Sequence, residues 1–437
     1  MRWLTKFGGS DLADTLGIRE ATVRALHGVG AATGKLMSRA PKKPRRAPSA
    51  TGSHPVEMPT GEPSRLSPVA SAGAFDLAPT EDQEMIRATA RRFADEIVRP
   101  AAHAADAAIA PDVAVLAGGH ELALAALVVP ETAGGLAEAR ASVTTALAIE
   151  ELARGDMGLA LAILAPLGVA SVLVEHGTFA QQSRWLPRFT GAAFFPAALA
   201  MLEPAPGSDP ARPRTGAVRA PGGWNLYGEK SLVPLGQTAE LFVVLAEIRG
   251  AGARLFLVPK DTPGLVITAQ PAMGLRAAGL CKLRLDGAFV PDDALLGGDA
   301  AFDPAELVAR SRLAWGAMAV GGTRAVLDYV IPYCNERKAF GEPITNRQAV
   351  AFMIADLAIE LEGMRLLVHR AASLADRGRS IVHEAALVRV QCGAKAMKAG
   401  TDGVQLLGGH GFVKEHPVER WYRDLRAIAV MEGALLA

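Results

Sequence analysis

At 437 residues the chain exceeds one minimal core and predicts two or three domains with extensive burial. Half of it is apolar but only 5% aromatic, a balance that favours packed helices over an aromatic-rich sandwich or barrel. With 46 Lys and Arg against 45 Asp and Glu, no global field selects nucleic acid or an anionic membrane as a partner.

Residues 1–74 read as an extension and linker. A helix is expected over 11–37, with Val23, Leu26 and Val29 on one side. The basic run "KLMSRAPKKPRR" and a Pro-, Ser-, Thr- and Gly-rich linker follow it. Asp11, Asp14 and Glu20 weigh against a mitochondrial transit peptide, and the lack of a continuous apolar stretch weighs against secretion. A cytoplasmic location is expected, with the mitochondrion second. The basic run admits peripheral contact with acidic lipid; a solvated linker is the favoured reading.

Residues 75–198 carry a helical pattern, opening at Thr80 as N-cap with Ile86, Ala90 and Phe93 at helical spacing. Met157 to Val174 contains no charge and reaches the length of a membrane span. Its Gly and Pro content, its closely charged flanks and its isolation favour a buried helix pair or kinked core helix. Residues 199–304 hold the short β-type runs "ELFVVLAEI", "ARLFLVPKD" and "GLVITAQ" and predict a compact β domain. Residues 305–437 return to long helices, with Val350, Met353, Leu357, Leu361, Met364 and Val368 at three- and four-residue steps. The order helical, β, helical is α+β with segregated layers. Cys281, Cys334 and Cys392 are odd in number and far apart, which reads as buried or free thiols in a reducing compartment.

Four stretches could carry chemistry. "LEPAPGSD" offers Ser208 and Asp209 at a tight loop, although any β-domain turn has this composition. "NERKAFGEPITNRQ" places Arg337, Phe340 and Gln348 around a turn. There an Arg fork could clamp phosphate and a Phe could lie on a ring system, or the stretch could simply join two helices. "QLLGGHGF" supplies Gln405, Gly408 and Gly409, either a cradle for a ligand or an ordinary helix end. His410 and His416 lack a partner at metal-ligand spacing and read as local hydrogen-bonders, and no metal is expected. Last, Glu432 sits in "IAVMEGALLA", five residues from the end. It belongs either to a frayed, solvated tail or to a base in apolar company, where desolvation lifts carboxylates toward neutral pH.

Taken in order, "TEDQEMIRATARRFADEIVRP", "GTFAQQSRWLPRFTGA", "LEPAPGSD", "GWNLYGEK", "RKAFGEPITNRQAVAFMIADLA" and "QLLGGHGFVKEHPVERWYRDLR" resemble the acyl-CoA dehydrogenase family over about residues 75–437. The resemblance implies a helical domain, a β domain and a C-terminal four-helix bundle, assembled as a tetramer or dimer. It implies FAD as cofactor, an acyl-CoA as substrate and an electron-transfer flavoprotein as oxidant. By the same resemblance Arg337, Phe340 and Gln348 contact the FAD of a neighbouring subunit, and Gln405, Gly408 and Gly409 line its adenosine diphosphate portion. Ser208 lies near the acyl-CoA or the flavin, Arg312 helps hold the CoA and the active-site loop, and Glu432 takes the α-proton.

The sequence departs from the family around the flavin. Leu202 stands where Thr is usual, Leu232, Val233 and Pro234 replace Trp-Ile-Thr, and Ala434 replaces the Thr after the catalytic Glu-Gly. The family continues into a further helix where five residues follow Glu432 here. Each lost hydrogen bond weakens binding by about 1 kcal/mol. Two alternatives to a dehydrogenase therefore stand: a weakly active or inactive acyl-CoA-binding relative, and a flavin oxidase on the same fold.

Overall fold

The computed structural model describes residues 78–437, so the expected helix over 11–37, the basic run and the linker lie outside the described residues. Helix α1 (Glu81–Phe93) opens at Thr80 with a reciprocal cap. The Thr80 hydroxyl accepts from the Gln83 N–H at 3.2 Å, and the Gln83 side chain accepts from the Thr80 N–H at 3.0 Å. Glu81, Asp82 and Glu84 in its first turn suit the positive end of the helix dipole. The chain runs on through a π turn into α2 (Arg99–Ala108), then α3 (Val113–Glu121) and α4 (Ser142–Gly155).

The uncharged stretch forms one continuous helix, α5 (Met157–His176), rather than a helix pair. It contains Pro166, and every residue from Met157 to Val174 is buried. Asp156 caps it by accepting from the Leu159 N–H at 3.0 Å. Helix α5 is long and apolar enough to cross a membrane, yet protein covers it on all sides. A helix apolar all round can serve as the centre of a large core, where each fully buried Leu or Val contributes about 1.5–3 kcal/mol. A short helix α6 (Phe179–Trp185) leads into the sheet.

Seven strands follow: β1 (Ala197–Ala200), β2 (Gly216–Ala220), β3 (Gly223–Val233), β4 (Leu241–Ile248), β5 (Gly252–Pro259), β6 (Leu265–Ala269) and β7 (Cys281–Pro291). Strand β4 is the hub. β1 and β2 pair with it in parallel and β5 antiparallel, while β3, β7 and β6 extend the sheet beyond β2. Its run "LFVVLA" is buried at every position, as a strand covered on both faces requires.

Four helices complete the chain: α7 (Pro304–Glu336), α8 (Gln348–Asp376), α9 (Val382–Leu407) and α10 (Val418–Leu425). Leu357, Leu361, Met364 and Val368 of α8 are buried, as their spacing predicts. Glu150 of α4 pairs with Arg365 of α8, and Glu360 of α8 meets Lys395 of α9 at 2.5 Å. All three cysteines are buried, and none is in a disulfide.

Residues 331–355 belong to a separate compact unit. They contain a tight hairpin, β8 (Lys338–Ala339) with β9 (Glu342–Pro343). Phe340 occupies its tip in a left-handed conformation (φ 56°), with the Arg347 guanidinium 5.4 Å from its ring centre.

Candidate active site

The tail after α10 is not frayed. Residues 431–437 are all buried. Two side chains one helical turn apart on α7 fix it at Gly433. The Ser311 hydroxyl accepts from the Gly433 N–H at 2.8 Å, and the Trp315 indole N–H donates to the Gly433 carbonyl at 2.9 Å. Arg310 donates to the Ala437 carbonyl at 3.0 Å. Gly433 has φ +73°, and a Cβ there would stand 2.6 Å from the Cβ of Met201, so the position demands glycine twice over. Ala434 follows in the same left-handed region at φ 66°.

This clamp sets Glu432 among Met431, Ala434, Leu435 and Leu436, all buried. Sequence alone suggests purely apolar company. The structure adds two guanidinium groups. Arg312 donates through Nε to both carboxylate oxygens, at 3.1 and 3.3 Å, and through Nη2 to Oε1 at 3.0 Å. Arg389 of α9 approaches the same Oε1 with its Nε at 3.4 Å.

Arg389 also gathers the turn that leads into the tail. It donates to the carbonyls of Ile428, Ala429 (2.8 Å) and Met431 (3.0 Å). Burial pushes its guanidinium below the ordinary value; Glu432 opposes that shift and Arg312 adds to it.

Beside this cluster lies an open cavity of about 640 Å³, lined by Asp209, Arg212, Glu247, Pro304, Val308 and Arg312 among others. Arg312 thus faces the cavity and binds Glu432 at once. Ser208 precedes Asp209 and is half-buried, its N–H donating to the Ala205 carbonyl at 3.3 Å.

Three sequence-derived residues lie further along α9. Gln405, Gly408 and Gly409 are exposed at the C-terminal end of α9. Gln405 follows Arg389 by 16 residues of one helix, which is about 24 Å along its axis. Gly408 has φ +57°, and a Cβ at Gly408 or Gly409 would meet nothing within 4 Å among the described residues, so packing against these does not account for the glycines. Arg337, Phe340 and Gln348 lie exposed in the separate unit, Phe340 at 94%. His416 hydrogen-bonds the Tyr329 hydroxyl at 2.7 Å and stacks on His410.

Sequence reading missed Ser311, Trp315 and Arg389. A faint signal exists in "ARSRLAW", where three polar residues interrupt an otherwise apolar helix face. For Arg389 there is none, because an Arg between two Val on a long helix usually reaches solvent.

Residues 80–192, 198–288 and 305–435 match the families described as acyl-CoA dehydrogenase N-terminal, middle and C-terminal domain. These matches define the class, that of oxidoreductases acting on CH–CH groups. Benzylmalonyl-CoA dehydrogenase of Aromatoleum aromaticum is 35% identical over 82% of this chain and 96% of its own. Among solved structures, butyryl-CoA dehydrogenase of Megasphaera elsdenii superposes with a TM-score of 0.76 at 27% identity, covering 82% of this chain and 96% of that one. A glutaryl-CoA dehydrogenase of Mycobacterium smegmatis in complex with FADH2 gives 0.74 at 26% identity, covering 81% and 92%. The chain belongs to the acyl-CoA dehydrogenase family.

FAD is that family's cofactor, and the residues present here fit it. The open Gly408–Gly409 turn, with exposed Gln405 beside it, leaves room for a close approach that no side chain among the described residues occupies.

Proposed function

We propose that the protein oxidises an acyl-CoA thioester to the 2,3-enoyl-CoA, with Glu432 as the base that removes the α-proton. The observation that carries this reading is a buried carboxylate on a clamped tail, joined through Arg312 to a large open cavity. A thioester α-proton is weakly acidic, so its removal needs a positioned carboxylate and donors for the charge that develops on the thioester oxygen. The Ser311 and Trp315 bonds hold the tail backbone and with it the direction of the Glu432 N–H, which would donate to that oxygen. The CoA portion enters by the cavity, with Ser208 at its edge and Arg212 and Arg312 on its wall.

When bound, FAD supplies the acceptor for the β-hydride. Arg337, Phe340 and Gln348 would reach the FAD of a second copy, and Gln405, Gly408 and Gly409 would hold the adenosine diphosphate portion of that same FAD. A homo-oligomer, tetramer or dimer, is further supported by Ile359 and Leu366 on α8 and Val390 and Met397 on α9. Each pair is spaced by seven residues, and all four are exposed. An electron-transfer flavoprotein would collect the electrons.

The test is anaerobic addition of acyl-CoAs of graded length and branching to the flavin-loaded protein. Flavin absorbance should bleach in the wild type and not in Glu432→Gln. Colourless protein that resists reconstitution with FAD would instead support the inactive-relative reading, which the missing hydroxyls at Leu202, Leu232 and Pro234 raise. Peroxide formed in air with turnover would favour an oxidase.

A further inference from the structure

We propose that Arg312 is a latch on Glu432 that the substrate itself releases, the phosphate groups of its CoA portion drawing the guanidinium away from the carboxylate. The inference rests on Glu432 being the base. Both oxygens of Glu432 are taken by Arg312, at 3.0–3.3 Å, so the carboxylate must give up charge-assisted hydrogen bonds before it accepts a proton.

The two arginines at Glu432 are not equivalent. Arg389 is tied to three carbonyls of the 428–431 turn and stays with the tail. The Arg312 side chain is 27% exposed against 8% for Glu432, and it lines the cavity, so an anion arriving there meets Arg312 before the base. Of the other charges on that wall, Asp209 and Arg212 approach each other at 3.8 Å and largely offset one another, while Glu247 repels an anion. Arg312 is thus the cation on this wall whose partner is the base itself. A guanidinium fork matches a phosphate as well as a carboxylate. Binding energy from a part of the substrate remote from the reacting carbons is then spent on freeing the base, and a truncated substrate loses kcat and not only KM.

The experiment compares an acyl-CoA with the matching acyl-pantetheine, which lacks the phosphates, by anaerobic stopped-flow reduction of the flavin. In the wild type, truncation should lower the reduction rate at saturation by about a hundredfold. Arg312→Met should lose that sensitivity and exceed the wild type on the pantetheine ester. Arg312→Lys, which keeps charge and volume, should retain part of the difference. Equal loss on truncation in wild type and Arg312→Met would reduce Arg312 to an anchor and overturn the proposal, as would a wild-type rate indifferent to truncation.

Infrared difference spectra on adding CoA alone give a readout free of turnover. The carboxylate band that Glu432→Gln removes should shift in the wild type and stay still in Arg312→Met; an unshifted wild-type band would also overturn the proposal. Bleaching that persists in Glu432→Gln would instead sink the base assignment, so the two failures are distinct.

Discussion

Replacing Arg389 by Met should loosen the tail without unfolding the protein. The guanidinium makes charge-assisted bonds of 2.8 and 3.0 Å to the Ala429 and Met431 carbonyls, and a third to Ile428. Hydrogen bonds to charged groups contribute about 1.5–3 kcal/mol each. Counting only the two longer bonds at the low end, because the side chain remains 19% exposed, gives about 3 kcal/mol of local stability. That corresponds to opening on the order of a hundredfold more often. Native-state hydrogen exchange reads this directly through the Gly433 N–H, bonded to Ser311, and the Leu435 N–H, bonded to the Gly433 carbonyl. Both amides should exchange about a hundredfold faster in Arg389→Met, while the β4–β5 ladder keeps its protection. Arg389→Lys should recover part of the effect. Unchanged exchange at Gly433 and Leu435 would show that Ser311 and Trp315 hold the tail unaided and would refute the reasoning.

Gly433→Ala forces a Cβ to 2.6 Å from that of Met201 at φ +73°, so Glu432 must shift; the flavin reduction rate should fall about a hundredfold while flavin content holds. Lys230 is fully buried and 2.9 Å from Glu203, and burial lowers its pKa from 10.5 to about 8. Between those values the unfolded chain binds the extra proton, so unfolding midpoints should rise from about pH 8 to 10.5, a slope that Lys230→Met removes. Burial, with Asp156 nearby, raises Asp424 from 3.8 to about 8, so here the folded chain binds the extra proton and stability should fall across that range. Asp424→Asn keeps an acceptor for the Leu275 N–H, now at 2.6 Å, and should flatten the fall when midpoints are measured at pH 5 and 8.

The parts of the fold legible in the sequence are those specified by neighbouring residues. Thr80 and Gln83 cap a helix three residues apart, and "LFVVLA" is buried on both faces wherever it is placed. The central sheet between helical regions follows from such runs. Burial of the tail does not, since a frayed apolar end and a packed one have the same composition. The difference lies in Ser311 and Trp315, which are 122 and 118 residues away from Gly433. The company of Glu432 is hidden from the sequence for the same reason. Neighbours in sequence are apolar, whereas the two guanidiniums arrive from α7 and α9, and no local periodicity encodes that meeting.

The departures on the flavin side take a different meaning once the backbone is considered. Leu202, Leu232 and Pro234 supply no side-chain hydroxyl, yet the groups around them are paired. The Leu202 carbonyl accepts from the Ser231 N–H at 2.8 Å, and the Leu232 N–H donates to the Gln270 side chain at 2.9 Å. The Gln270 amide in turn meets the Ser231 hydroxyl at 2.8 Å, and Pro234 has no N–H to satisfy. Leu232 and Leu235 nevertheless sit at φ 53° and 55°, in a region that costs L-residues about 1–2 kcal/mol each. Ala434 shares that conformation at φ 66°, as do Ile109, Ala123 and Leu275 elsewhere in the chain. Strain of this kind persists only where the surroundings over-determine it, and it concentrates at sites that bind or react. The segment thus pairs these backbone groups within the chain while Leu202, Leu232 and Pro234 offer no hydroxyl. A flavin bound beside this segment would therefore be held by packing and backbone contacts rather than by side-chain hydroxyls.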